Sequence, residues 1–336
     1  MNHAPLKANA PWVGALVLFW ILQWIWVPHL DEYFYTIMLF AGINVILAVS
    51  LNLVNGFTGQ FSMGHAGFMS VGGYVSGYVG TTLQTAHPDW FTGAGAPFIF
   101  LGLLLLAGTA AAAAGLLVGL PSLRLKGDYL AIVTLGFGEI IRVLILNIEA
   151  VGGARGLSGI PPLTNLGWVM TWVVIALFVV WRLIHSHIGR EFLAVREDEI
   201  AAEAMGVPTT RAKVRAFTVG AFFAGVAGAL FGHFLRYLNP QAFDFNRSFE
   251  IIIMVVLGGM GSITGSVIAA VFLTVIREAL RPLQEITHLD FRMVIYALML
   301  IVLMLTRPNG IMGTREWTSF LPKRLLKKWK IAQEVS

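Results

Sequence analysis

The sequence predicts an all-α polytopic membrane bundle, and three observations carry that prediction. Of 336 residues, 57% are hydrophobic and only 12% are charged. A soluble domain carries about 25% charged residues and covers its surface with them, so this chain has to be solvated by lipid. Apolar windows long enough to cross a hydrocarbon layer of ~30 Å recur along the chain. The polar residues are also unevenly distributed. The stretch HIGREFLAVREDEIAAEAMGVPTTRAKVR, residues 187–215, holds ten of the Asp, Glu, Lys and Arg residues, with long apolar windows on both sides.

Taken in order, apolar windows fall at 12–28, 33–54, 61–86, 97–121, 128–149 and 166–186 before this polar island, and at 214–238, 249–262, 264–281 and 291–307 after it. The first window follows Lys7, and Pro28-His-Leu-Asp-Glu32 behind it offers no small-residue cleavage site. It is read as a retained span and not a signal peptide. The region 249–281 is one long span or two short ones broken at Gly258-Gly-Met-Gly-Ser-Ile-Thr-Gly265. Basic loop residues favour the cytoplasmic side. Arg190, Arg196, Arg211, Lys213 and Arg215 put the island inside, which places Arg124 and Lys126 inside and Asp31, Glu32 and Asp89 outside. Arg307, Arg315, Lys323, Arg324, Lys327, Lys328 and Lys330 stay inside only if an even number of spans follows the island. The expectation is therefore ten transmembrane helices, with nine as the alternative, and both termini cytoplasmic. The chain reads as one transmembrane domain over 1–336, with a cytoplasmic loop at 187–213 and a basic tail at 308–336. In the tail, Trp317, Phe320, Leu325, Leu326 and Trp329 alternate with basic residues, a pattern suited to a helix on an anionic lipid surface.

Two stretches interrupt the helical pattern. Residues 52–80 contain Gly56, Gly59, Gly64, Gly67, Gly72, Gly73, Gly77 and Gly80, with Gln60, Ser62 and His65 among them. The second is GGMGSITG at 258–265. Irregular backbone at membrane depth is tolerated where it lines a cavity or is covered by protein, and paired breaks in two halves point to a central path. Small residues also allow close helix packing. Gln60, Ser62 and His65 are candidates for a path or gate, against a buried hydrogen-bond network. Glu139 and Arg142 lie three apart on one helix face. They are read as a structural ion pair or as path residues. Arg277, Glu278 and Arg281 are expected at a membrane interface.

Several function classes are excluded. There is no cysteine, hence no disulfide, thiolate catalysis or Cys metal site. No histidine is read as pairing with a carboxylate on a helix, so no metal site and no cofactor are expected. The Gly-Lys-Ser/Thr ending of a phosphate loop is missing, and Gly259, Gly261 and Gly265 have the wrong spacing for a dinucleotide fingerprint. No Ser/His/Asp constellation stands out. The net charge of +5 reflects loops that set orientation and not nucleic-acid binding.

The island itself has helical composition from Glu191 to Met205, with Gly206 as a stop and Pro208 beyond it. Glu197, Asp198 and Glu199 sit near the expected helix start, where the dipole favours acids. Ala194, Ala201, Ala202 and Ala204 form a small-residue surface that another protein can approach closely. This is a solvated helix or a rigid peg for a soluble motor subunit.

GREFLAVREDEIAAEAMGV resembles the cytoplasmic coupling motif of permease subunits in branched-chain amino acid ABC importers. LNLVNGFTGQFSMGHAGFMSVGGY, GDYLAIVTLGFGEIIRVLILN with GGARGLSGIPPL, GGMGSITGSVIAA and LTRPNGIMG resemble further stretches of the same family, over most of residues 40–313. The long N-terminus and GDYLAIVTLGFGEIIR resemble the LivM type more than the LivH type. The family often has Asn or Asp where this chain has Gly153-Ala-Arg-Gly156, a departure that bears on the extracellular side and the docking of a binding protein. The resemblance implies a bacterial inner-membrane permease with no enzymatic activity of its own. It implies four partners: a LivH-like permease, two cytoplasmic ATPases and a periplasmic or surface substrate-binding protein. Arg196, Glu197, Asp198, Glu199, Ala201, Ala202, Glu203, Ala204 and Gly206 would then contact the ATPase. Relatives of this pattern take leucine-type amino acids, urea or short amides. A self-contained ion-coupled transporter using Glu139 and Arg142 is the reading outside this class.

Overall fold

The structure is a computed structural model that describes residues 31–91, 93–123, 125 and 127–279, with separate positions at 14, 20, 294, 295, 298, 301, 302, 306, 310–313 and 316. Its helices are α1 (Glu32–Asn52), α2 (His65–Ala86), α3 (Ala96–Ser122), α4 (Asp128–Asn147), α5 (Leu166–Ile184), α6 (His187–Glu197), α7 (Glu199–Ala204), α8 (Thr209–Leu235), α9 (Phe245–Gly258) and α10 (Ile263–Ala279). One antiparallel ladder interrupts the all-α pattern among the described residues. In it β1 (Leu157–Ser158) pairs with β2 (Tyr237–Leu238), Leu157 opposite Leu238.

Five described segments are long and apolar enough to cross a membrane: Glu32–Phe57, Ala96–Ser122, Asp128–Asn147, Leu166–Ile184 and Thr209–Leu235. The first is apolar all round, and such a helix belongs at the centre of a bundle; 83% of its most apolar window is buried, against 22% for Asp128–Asn147 at the periphery. Leu39, Ile43, Ile46, Leu47 and Leu51 of α1 are fully enclosed. α2 is as long as a span, but its glycines and hydroxyls dilute its apolarity. Its glycine face packs directly on α8: a Cβ on Gly72 would meet the Gly225 backbone, and one on Gly228 would meet the Met69 carbonyl. The small-residue reading of this stretch therefore accounts for its helical glycines.

The region 249–281 resolves into two helices packed on each other, with the backbones of Gly258 and Gly265 in contact. At 14 and 17 residues, α9 and α10 are shorter than the ~20 residues that cross a bilayer unaided. The count of ten full crossings is thus not reproduced among the described residues. The windows 12–28 and 291–307 lie almost wholly outside them, as do Arg124, Lys126, Arg281 and the tail's aromatic and basic positions.

The island departs from the single helix expected over 191–205. It is two helices, α6 and α7, divided at Asp198, whose backbone is extended (φ −158°, ψ 110°). The Asp198 carboxylate accepts from the amides of Ile200 (2.9 Å) and Ala201 (3.1 Å). An Asp in that role stabilises a helix start by ~1 kcal/mol, so the acid expected to sit near one helix start begins a second helix instead. Gly206, with φ +82°, ends α7 where a helix stop was expected.

Candidate coupling site

α1 ends in a π-helical turn, Leu53–Phe57, followed by an irregular stretch to Gly64. Asn52, buried at the last turn of α1, spans from this break to the other one. Its Oδ1 accepts from the Gly261 amide (2.9 Å), and its Nδ2 donates to the Ser262 carbonyl (2.8 Å). The two interruptions in the sequence therefore form one junction. Such breaks leave backbone groups without helical partners, and here side chains satisfy several of them. The start of the tail joins in. The Glu316 carboxylate accepts from the amides of Ile263 (2.6 Å) and Thr264 (3.2 Å), and the amides of Ile311 and Met312 donate to the carbonyls of Leu257 and Gly258.

The island touches this junction through Arg196. Its Nη1 donates to the Gly56 carbonyl at 3.3 Å, and its Nη2 pairs with Glu197 at 2.7 Å. Gly59 and Gly261 leave room for it; a Cβ on Gly59 would press on the Arg196 side chain and one on Gly261 on its guanidinium. A second tie runs to α8. Lys213 is 2% exposed, and its Nζ lies 2.6 Å from Glu199 Oε2 at the start of α7. Glu191 of α6 faces Arg215 of α8 at 3.4 Å and also His187, four residues before it on the same helix, at 3.4 Å, which corrects the expectation that no histidine pairs with a carboxylate.

These ties sort the candidate residues by direction. Arg196, Glu199 and Ala202 turn toward the bundle, Ala202 being buried. Glu197, Asp198, Ala201, Glu203, Ala204 and Gly206 face outward. The outward surface was expected to consist of small and acidic residues, but its largest apolar groups are Ile200, 72% exposed, and Met205, 84% exposed. Apolar side chains held out on a charged loop mark an interaction surface when they cluster. Their signal in the sequence is two large apolar residues flanking an acidic and alanine-rich turn.

Gln60, Ser62 and His65 are all buried. Gln60 donates to the Thr58 carbonyl (3.3 Å), Ser62 exchanges backbone hydrogen bonds with the Asn55 side chain, and His65 Nε2 meets Ser50 Oγ at 2.9 Å. They form a hydrogen-bonded lining of the break. Glu139 and Arg142 pair with each other at 2.7 Å on α4, whose face also exposes Ile132, Ile140, Val143 and Leu144.

A further ionic cluster was not foreseen. Arg247 and Glu250, three apart on α9, pair at 2.9 Å, and Arg277 of α10 reaches the same Glu250 oxygen at 3.3 Å. Asn44, 1% exposed on α1, accepts from Arg247 (2.9 Å) and donates to Thr274 Oγ1 (2.8 Å). Arg277 was expected at an interface but turns into the bundle. An acid and a base three apart, as at Glu139 and Arg142, recur here in the reverse order; starting the window at 249 left Arg247 out of the span.

A bundle of apolar helices carrying buried polar junctions, with a charged loop tied to them, defines a polytopic helical membrane protein. The family described as branched-chain amino acid transport system, permease component, matches residues 33–303. The LivM permease protein of the high-affinity branched-chain amino acid transport system of Salmonella typhimurium is 38% identical over 309 residues, covering 80% of this chain and 68% of that one. A probable LivM permease of Methanocaldococcus jannaschii is 28% identical over 277 residues, covering 73% and 80%. The LivH permease of Salmonella typhimurium is 27% identical over 292 residues, covering 81% and 91%. No solved structure matches the chain. The chain belongs to the branched-chain amino acid transport permease family and is of the LivM type.

Proposed function

We propose that this chain is one of two membrane subunits of an ATP-driven importer of branched-chain amino acids. In this reading it forms half of the translocation path and receives force from cytoplasmic ATPases at the island. The observation that carries it is the two-sided build of residues 187–213. One side presents Ile200 and Met205 outward. The other is bound to the bundle by Lys213–Glu199 and by Arg196 on the Gly56 carbonyl. A docked motor that moves the island acts on α8 through Glu199 of α7 and on the junction of the two breaks through Arg196 of α6. Switching then means that the nucleotide-dependent arrangement of the ATPases favours one arrangement of the junction over the other. The contiguous route from Arg196 of α6 to Gly56 and Asn52 is the element on which that bias acts.

The island is on the cytoplasmic side of the inner membrane, because its basic residues exceed those of the opposite loops. The tail begins beside the same junction through Glu316, which supports a cytoplasmic C-terminus. A second, LivH-like permease covers α4. An intramembrane ion pair facing lipid costs several kcal/mol, and the Glu139–Arg142 pair on the exposed α4 face calls for protein there. A binding protein on the opposite face delivers the substrate. The aliphatic amino acid class rests on what the relatives are named for.

Co-expression with candidate ATPases, the second permease and a binding protein tests this reading. The expected result is a complex that takes up leucine into proteoliposomes only with ATP inside the ATPase compartment. With Arg196→Ala, the ATPases are expected to stay bound while uptake per ATP hydrolysed falls. Uptake by the purified chain alone, without ATP, overturns the proposal.

A further inference from the structure

The break between α9 and α10 brings two helix ends together, and the amides that start a helix and the carbonyls that end one need partners from elsewhere. At the start of α10, the Gly265 amide donates to Ser262 Oγ and the Ser266 amide to the Ser262 carbonyl. The amides of Ile263 and Thr264 donate instead to the Glu316 carboxylate, which also accepts from Thr264 Oγ1 at 2.8 Å. At the end of α9, the carbonyls of Leu257 and Gly258 accept from the amides of Ile311 (2.9 Å) and Met312 (3.1 Å). One short length of chain, described at 310–313 and 316, thus closes both helix ends. It lies close against them. A Cβ on Gly310 would meet the Val256 carbonyl and the Gly259 backbone, and one on Gly265 would touch Met312.

The break is therefore gripped from two sides. Asn52 of α1 holds the Gly261 amide and the Ser262 carbonyl, and Glu316 holds the two residues that follow. The two grips differ in how they open. Asn52 is 1% exposed, and parting a buried hydrogen bond leaves polar groups unsatisfied, at the full cost of their desolvation. Ile311 is exposed, and Met312, Gly313 and Glu316 are half-buried. Hydrogen bonds at such positions pass to water with little net loss, and segments held by them open first. The seated state is still favoured at rest, because a carboxylate at a helix start is stabilised by the dipole of that helix. A contact that is favoured when closed and cheap to open has the properties of a latch.

We propose that the segment from Gly310 to Glu316 is a releasable strap that acts as a brake on the junction of the two breaks. This rests on the import reading above and adds a regulating element to it. With Glu316 seated, the end of α9 and the start of α10 are pinned together by the same piece of chain. Force arriving through Arg196 at Gly56 and Gly261 displaces the break together with Asn52. The strap, as the weaker grip, lets go before the buried contacts do. A seated strap favours the resting arrangement, so removing it narrows the gap between the two arrangements and lets the complex switch without a delivered substrate. Glu316 is in this sense a positioning residue for the switch.

The test uses the assembled complex with its ATPases in proteoliposomes, and tritiated leucine as the transported probe. Glu316→Ala is expected to raise ATP hydrolysis in the absence of the binding protein at least threefold and to lower leucine moved per ATP. Amide exchange of residues 261–264 is expected to quicken at least tenfold in this variant while residues 43–51 of α1 keep their protection. The converse experiment holds the strap shut. The chain has no cysteine, so Thr264→Cys with Glu316→Cys places its only two thiols across the contact, and a short methanethiosulfonate cross-linker joins them reversibly. Cross-linked complex is expected to lose at least tenfold in uptake and to regain it on reduction, when its unstimulated hydrolysis also rises. This pair keeps the idea testable if Glu316→Ala does not assemble. Three results overturn the proposal: wild-type uptake by the cross-linked complex, wild-type unstimulated hydrolysis in Glu316→Ala, or loss of protection that spreads through α1, which marks a purely structural contact. Leucine uptake by the wild type that needs no ATP sinks the importer reading by itself, whereas the exchange pattern judges the strap alone.

Discussion

Removing the charge of Lys213 tests the tie between the island and the bundle most directly. Its Nζ sits 2.6 Å from Glu199 Oε2; the lysine side chain is 2% exposed and the glutamate 21%. Two unit charges about 3 Å apart attract by roughly 5 kcal/mol at an effective dielectric of ~20. Both groups gave up hydration to meet, so the net figure is smaller. Deleting one partner of a buried pair costs ~3–5 kcal/mol, and partial hydration of Glu199 places this case at the low end, ~3 kcal/mol. Lys213→Met keeps the stem and removes the cation. The loss falls on α7, because it has one turn and a half and little else in contact with α8. Since each ~1.4 kcal/mol is a factor of ten, local opening of residues 199–206 is expected to rise about 100-fold. Amide hydrogen exchange of the purified complex reads this segment directly. The double variant Lys213→Met with Glu199→Gln removes both charges and is expected to recover most of the protection. Exchange in 199–206 within threefold of wild type, or a double variant as open as the single, refutes the reasoning.

Three other outcomes follow from the geometry. Asn52→Ala loses two buried hydrogen bonds, to Gly261 and Ser262, and is expected to cost ~2–3 kcal/mol, seen as a lower midpoint of thermal unfolding; an unchanged midpoint refutes the junction as a stabilising element. Ile200→Asp combined with Met205→Asp alters two exposed side chains, so thermal stability should hold while ATPase affinity falls at least ~30-fold, the ~2 kcal/mol scale of an interface hot spot; equal affinity by pull-down titration sinks this docking surface. Gly72→Val forces side-chain atoms into the Gly225 backbone and, at ~1–3 kcal/mol or more of overpacking, should reduce the yield of monodisperse protein; normal yield and stability contradict the close approach of α2 and α8.

Much of the architecture was readable because lipid imposes a coarse rule: long apolar runs become helices, and charges go to their ends. That rule found α1, α3, α4, α5 and α8 within a few residues. It also found the Glu139–Arg142 pair, since three-residue spacing fixes which groups can meet on one helix. It failed where a single side chain decides the backbone. Asp198 looked like one acid among three, yet its carboxylate caps Ile200 and Ala201 and splits the island in two. Lys213 was weighed only as a positive charge for orientation, while its role is a contact across fourteen residues of chain that no local pattern encodes. Asn44 sits alone in an apolar run, and Asn52 is one of several polar residues where that run breaks. Their partners lie at 247 and 274 and at 261 and 262, so only the folded chain shows what they hold.

The Asn52 junction also sets a timetable for biogenesis. Its partner amide, Gly261, lies 209 residues further along the chain, and Glu316, which closes the start of α10, comes later still. At ~5–20 residues per second, translation needs on the order of 10–40 s to deliver Gly261 after Asn52. Throughout that interval α1 and its π-turn wait in the membrane without their closing contacts. The junction of the two breaks can close only after the last third of the polypeptide arrives, and a chain cut short before Gly261 lacks the partner for the Asn52 Oδ1.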